Sequence, residues 1–204
     1  MLIVNTWAHL ARRFFGSLSR AESSPADEAW VAGVLTPAEA TLWRRMSAAD
    51  RRHAVGVARA ATAMLDDRQG ASASDQAQGP SDDVPARSDD LVGPSGDPLR
   101  PVAAAALLHD VGKIESGFGP LRRAVATVVA MIVGLRRARD WRHRSGLVGR
   151  TGRYLCHDEI GAGLLAQAGS HPLTVAWARE HHLPAHRWSI PADIGAALKA
   201  ADDD

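Results

Sequence analysis

Pro101-Val102-Ala103-Ala104-Ala105-Ala106-Leu107-Leu108-His109-Asp110-Val111-Gly112-Lys113 is the stretch whose reading decides the fold. Alanine and leucine are the strongest helix formers, and a proline at the head of the run suits a first helical turn. A strand of this length would alternate β-branched or aromatic residues with polar ones, and this run does not. The spacing predicts an apolar, enclosed helix that ends on an adjacent imidazole and carboxylate, His109-Asp110. Such a pair beside a buried apolar face is costly unless something compensates its charge, and a divalent metal ion would do so. Gly112, with Gly117 and Gly119, is expected to loosen the chain that follows.

Outward from this helix the pattern stays helical. Of the 204 residues, 46% are hydrophobic and only 5% aromatic, and period-two alternation is scarce, which predicts an all-α bundle of about eight helices. Residues 5–18 read as an amphipathic helix with Trp7, Leu10, Phe14 and Leu18 on one face, broken by Pro25. Pro37 opens the next helix with Thr36 as its cap, and Ser47 with Asp50 caps a third that runs to Leu65. Residues 67–100 are Gly-, Ser-, Asp-, Gln- and Pro-rich and too poor in large apolar side chains to offset their ordering entropy. They are expected to be a disordered insertion. Helices are further expected over Ala124–Leu135, over Asp158–Ala168 with Gly169 as its stop, and from Pro172 and Pro191 onward. The organisation is then a helix and linker over 1–35 and one domain over 36–204, interrupted at 67–100.

Composition narrows the setting. A formal net charge of +1 offers no overall attraction for nucleic acid, and no specific nucleic-acid binding is expected. The one cysteine, Cys156, excludes an internal disulfide and a cysteine-rich zinc site, and it reads as a small buried side chain. Residues 1–18 lack the order of a secretory signal, and no run is long and apolar enough to span a bilayer, so a cytoplasmic location is expected.

Further candidate ligands lie along the chain in a set order. His53 shares a helix face with Val57, Ala60 and Met64 and points inward. His157 opens a helix, His181 and His182 close one, and Asp202 ends the last, with Asp203 a weaker rival. Each alone is weak, since a lone inward histidine is usually a satisfied core residue. The joint order carries the argument: Arg52-His53-Ala54-Val55, then His109-Asp110-Val111-Gly112-Lys113, then His157-Asp158-Glu159-Ile160-Gly161-Ala162, then Glu180-His181-His182, then Ala201-Asp202.

This order resembles the HD superfamily of metal-dependent phosphohydrolases from about residue 40 to the end, the insertion excepted. The resemblance implies an all-helical HD-domain bundle, one or two divalent ions (manganese, iron or zinc), and hydrolysis of a phosphomonoester or phosphodiester, often a nucleotide. It implies a first ion on His53, His109, Asp110 and Asp202. Asp110 would bridge to a second ion on His157 and on His181 or His182. Lys113, one of only two lysines, would stabilise charge on phosphoryl oxygens. The Gly-Tyr-Pro signature of the cyclic-dinucleotide phosphodiesterases is missing, because Leu183-Pro184-Ala185 follows the His181-His182 pair. The alternative is a regulatory module that keeps the metal or nucleotide pocket without turnover.

Residues 122–153 hold Arg122, Arg123, Arg136, Arg137, Arg139, Arg142, Arg144, Arg150 and Arg153 against a single acid, Asp140. This stretch reads as a solvated face, a phosphate funnel, or a weak contact with an anionic membrane surface. His143 and His186 read as surface residues, and His9 and His171 fall outside the ligand pattern.

Overall fold

The computed structural model describes residues 24–76 and 97–203. The helix expected over 5–18 and most of the expected insertion, 77–96, lie outside the described residues. Among the described residues there are ten α-helices, three short 3-10 segments and no strand. The helices are α1 (Pro25–Val34), α2 (Pro37–Arg45), α3 (Ala48–Gln76), α4 (Arg100–Leu108), α5 (Pro120–Val133), α6 (Leu135–Asp140), α7 (Gly146–Leu155), α8 (His157–Gln167), α9 (Pro172–Glu180) and α10 (Ala192–Asp203).

The helix that opened the sequence reading, α4, is the axis of the fold. Every residue from Pro101 to Leu108 is buried, and α3, α9, α10, α1 and α2 all pack on it. Its alanines let neighbouring helices approach, while Leu107 and Leu108 are fully enclosed. Each enclosed leucine contributes roughly 1.5–3 kcal/mol by leaving water. One core joins Val31, Leu42 and Trp43 of the N-terminal helices to Trp177 of α9 and to Ile194 and Leu198 of α10.

Local signals fix the helix starts. Thr36 and Glu39 form a reciprocal capping box, with Thr36 N to Glu39 Oε2 at 2.9 Å and Glu39 N to Thr36 Oγ1 at 3.3 Å. Asp50 N donates to Ser47 Oγ at 3.2 Å. Pro25 begins a helix where a linker was expected. Ser24 caps it through Asp27 N, and proline fits a first turn whose N–H has no partner in any case. Val31 and Leu35 enter the core, so residues 25–35 belong to the bundle.

The edges of the expected insertion are also helical. Once α3 is nucleated, each added residue gains a hydrogen bond at small cost, and the helix continues through 67–76 despite its polar composition. Arg100, at the far edge, opens α4, with its guanidinium Nε donating to Val34 O at 2.7 Å.

Residues 117–156 form a second layer against this core. The helix expected over Ala124–Leu135 runs from Pro120 to Val133 and stops at Gly134, whose φ of 94° suits glycine. Arginines fasten the layer. Arg123 grips Asp50 at 2.5 and 2.8 Å, Arg139 reaches Asp158 at 2.8 Å, and Arg142 reaches Glu159 at 2.7 Å. Arg150 caps the carbonyls of Ser116 and Gly117, and Arg153 that of Glu115. Five of the nine arginines are thus structural ties rather than a solvated face.

Candidate metal centre

The ends of α4, α8, α9 and α10 and the first part of α3 converge on Asp110. Its Oδ2 lies 3.5 Å from His109 Nε2, and its Oδ1 lies 3.4 Å from His157 Nε2 and 3.9 Å from His181 Nε2. On one side, Asp202 Oδ1 lies 2.9 Å from His53 Nε2 and 3.6 Å from His109 Nε2. On the other, His182 Nε2 lies 3.2 Å from His157 Nε2. Two groups could each hold a metal ion: His53, His109 and Asp202, and His157, His181 and His182. Asp110 stands between them, one carboxylate oxygen towards each.

The imidazoles are aimed by carbonyls just before them in the chain, which for His157 is one near the end of α7. His109 Nδ1 donates to Ala106 O at 2.8 Å, His157 Nδ1 to Tyr154 O at 2.8 Å, and His181 Nδ1 to Ala178 O at 3.1 Å. A carbonyl only accepts, so Nδ1 carries the hydrogen in all three. In its neutral form each ring then presents an Nε2 lone pair to the centre, as ligation requires.

Two buried atoms near the middle, Asp110 Oδ1 and His181 Nε2, have no hydrogen-bond partner. Leaving such atoms unsatisfied costs about 1–3 kcal/mol each. A cation would satisfy both at once, and the donor set of imidazole nitrogens and carboxylate oxygens suits a divalent transition metal.

Electrostatics favour that chemistry most clearly at His181 and His182. Burial opposes ionisation of Asp110, but the charges of Lys113 and His109 hold its carboxyl well below the usual range. Burial also opposes the His109 cation, yet the Asp110 carboxylate beside it raises its pKa. Burial, reinforced by His109 and His182, pushes His181 down to about 2. His182 keeps an exposed edge, and burial of the rest of its ring with repulsion from His157 brings it to about 4. His181 and His182 therefore stay neutral and able to ligate at neutral pH.

Lys113 pairs with Asp110. Burial disfavours its charge, but Asp110 and Asp50 together raise its pKa.

The structure brings His53, His109, Asp110, His157, His181, His182 and Asp202 together. It places both His181 and His182 at the second group, where the sequence left the choice open. Asp203 is set outward against Lys199 at 2.8 Å. His171 caps α9, its Nδ1 accepting from Leu173 N at 3.2 Å. Cys156 is buried, as expected.

Sequence reasoning missed three contributors. Asp50, read only as a cap, also faces Lys113 and is itself held by Arg123. Tyr154 stacks on His157 at 5.8 Å. Gly112 does not loosen the chain, because a Cβ there would lie 2.0 Å from His157 O and 2.6 Å from Gly161 N. The glycines of the two His-Asp motifs are where their backbones touch.

No protein-family model, curated protein or solved structure matches the chain.

Proposed function

We propose that this protein is a metal-dependent phosphohydrolase of the HD type, acting on a phosphomonoester or phosphodiester, with nucleotides the first candidates. The observation that carries this reading is the pair of partnerless buried atoms, Asp110 Oδ1 and His181 Nε2, between two metal-competent groups. His53, His109, Asp110 and Asp202 would hold one ion. Asp110, His157, His181 and His182 would hold a second.

Manganese, iron and zinc suit these ligands. When bound, such ions neutralise phosphate charge and lower the pKa of water. Lys113 keeps its proton and offers positive charge beside the site, where phosphoryl oxygens would gather negative charge. Asp50, itself held by Arg123, adds favourable charge beside that lysine. The backbone carbonyls behind His109, His157 and His181 keep the rings from turning away.

The test is metal content by elemental mass spectrometry on tag-free protein, for wild type and Asp110→Ala in parallel. A phosphoester and nucleotide screen with the retained metal follows. The reading expects one or two ions per chain, lost in the variant, and metal-dependent release of phosphate or of a nucleoside monophosphate. Protein that takes up no manganese, iron or zinc would refute it.

A further inference from the structure

The described residues leave eight large apolar side chains exposed, and all eight fall within residues 121–148. Leu121, Val125, Val128 and Ile132 recur at the spacing that lines one face of α5, flanked by Met131 and by Leu135 of α6. Met131 is 77% and Ile132 79% exposed. The inward side of α5 holds small residues, Ala126 and Ala130. The helix thus has the reverse of the usual arrangement, with large apolar groups towards solvent. Leu147 and Val148 extend the apolar surface onto α7, which packs against both α5 and α6. A concentration of this kind marks an interaction surface.

Charge identifies what covers it. Arg122, Arg136 and Arg137 are exposed on the same elements and Arg144 on the bend just before α7, apart from the five arginines used as ties. Asp140 is the single acid between Leu121 and Arg153. A second copy meeting this face would set arginine against arginine. Residues 1–23, which carry Arg12, Arg13 and Arg20, would bring more of the same sign. An anionic lipid surface meets both features, accepting the apolar side chains among its acyl chains and the guanidiniums at its phosphates.

No single helix among the described residues is long and apolar enough to cross a membrane. A pair that passes by length and composition, Arg100–Ser116 with Leu121–Val133, is bent by 82° and has its first helix enclosed in the core. We infer that α5, α6 and the start of α7 form a monotopic docking face that lies on anionic membrane.

The test is co-sedimentation of the full chain with phosphatidylglycerol-containing vesicles and with pure phosphatidylcholine vesicles, at low and high salt. Light scattering of the free protein accompanies it. The expected result is binding to the anionic vesicles only, weakened by salt. Arg136→Glu with Arg137→Glu should bind roughly 20-fold more weakly or worse. Val128→Ser with Ile132→Ser should also lose binding while keeping the wild-type melt, since both side chains are already in solvent. The inference is overturned by no binding to anionic vesicles at low salt. Equal binding to both lipids, or variants that bind like wild type, would overturn it too. A dimer that the Val128→Ser, Ile132→Ser variant dissolves would assign the face to a second copy instead.

Discussion

Gly112→Ala tests the contact on which the site rests. The added methyl would sit 2.0 Å from His157 O and 2.6 Å from Gly161 N. Both are backbone atoms of α8, so no side chain can swing aside. To restore ordinary van der Waals separation, the 3-10 turn after Asp110 and the start of α8 must part by well over an ångström in a close-packed interior. Overpacking typically costs 1–3 kcal/mol, and a clash with backbone belongs at or above the top of that range, about 3 kcal/mol. For a domain of this size that lowers the melting temperature by roughly 6–12 °C.

The same displacement would pull His157 away from Asp110, now 3.4 Å apart, and weaken metal retention. Gly163→Ala is the control. It lies on the same helix with nothing within 4 Å of its Cβ, so it should gain up to about 1 kcal/mol of helix propensity. Thermal melts of both variants in chelator, followed by metal content after reloading and dialysis, make the comparison. A Gly112→Ala protein that melts with wild type and retains its metal would refute the claim that the two motifs are locked backbone to backbone.

Three further outcomes follow from the same structure. Asp50→Asn should cost about 3 kcal/mol at neutral pH, because it leaves Arg123 without its partly buried counter-ion. The folded carboxyl titrates below its ordinary 3.8, chiefly through Arg123 working against burial. The stability gap between wild type and variant should therefore be full above about pH 4 and close as acid protonates the folded carboxylate, as denaturant melts across pH would record. In chelator, acid should destabilise the protein below about pH 6.5. His181 stays neutral in the fold down to about 2 while the unfolded chain takes up a proton, a penalty growing by about 1.4 kcal/mol per pH unit. His181→Asn should lessen that slope, leaving the part that His182 contributes down to about 4. Removing metal from loaded wild type should lower its stability by about 2.7 kcal/mol when free metal stood at a hundred times the dissociation constant, and leave Asp110→Ala unmoved.

Much of this was legible from residue types. The all-α class follows from alanine and leucine without β alternation, and the enclosed axis from the run ending at Leu108. The joint order of five segments, rather than any one histidine or carboxylate, singled out residues that the fold carries to one place.

What was not legible depends on partners distant in sequence. Pro25 and residues 67–76 were misjudged because a first turn tolerates proline and a nucleated helix tolerates poor formers. The burial of Ala126 and Ala130 in place of their larger neighbours is set by the layer beneath α5. The pairing of Arg123 with Asp50 and of Arg139 with Asp158 is fixed by tertiary geometry. Gly112 shows the limit well, since one glycine looks the same in a loop and in a backbone contact.

The histidine-to-carbonyl bonds have a kinetic consequence. The carbonyls that aim His109, His157 and His181 lie three or four residues back on the same stretch of chain. Each ring is therefore oriented by local chain geometry, before any ion arrives and independently of the other ligands. Little rotamer searching remains for an arriving cation to drive. Uptake should then be limited by water loss from the ion and by passage past the exposed edge of His182, so loading rates would follow the exchange lability of the metal more than any rearrangement of the protein.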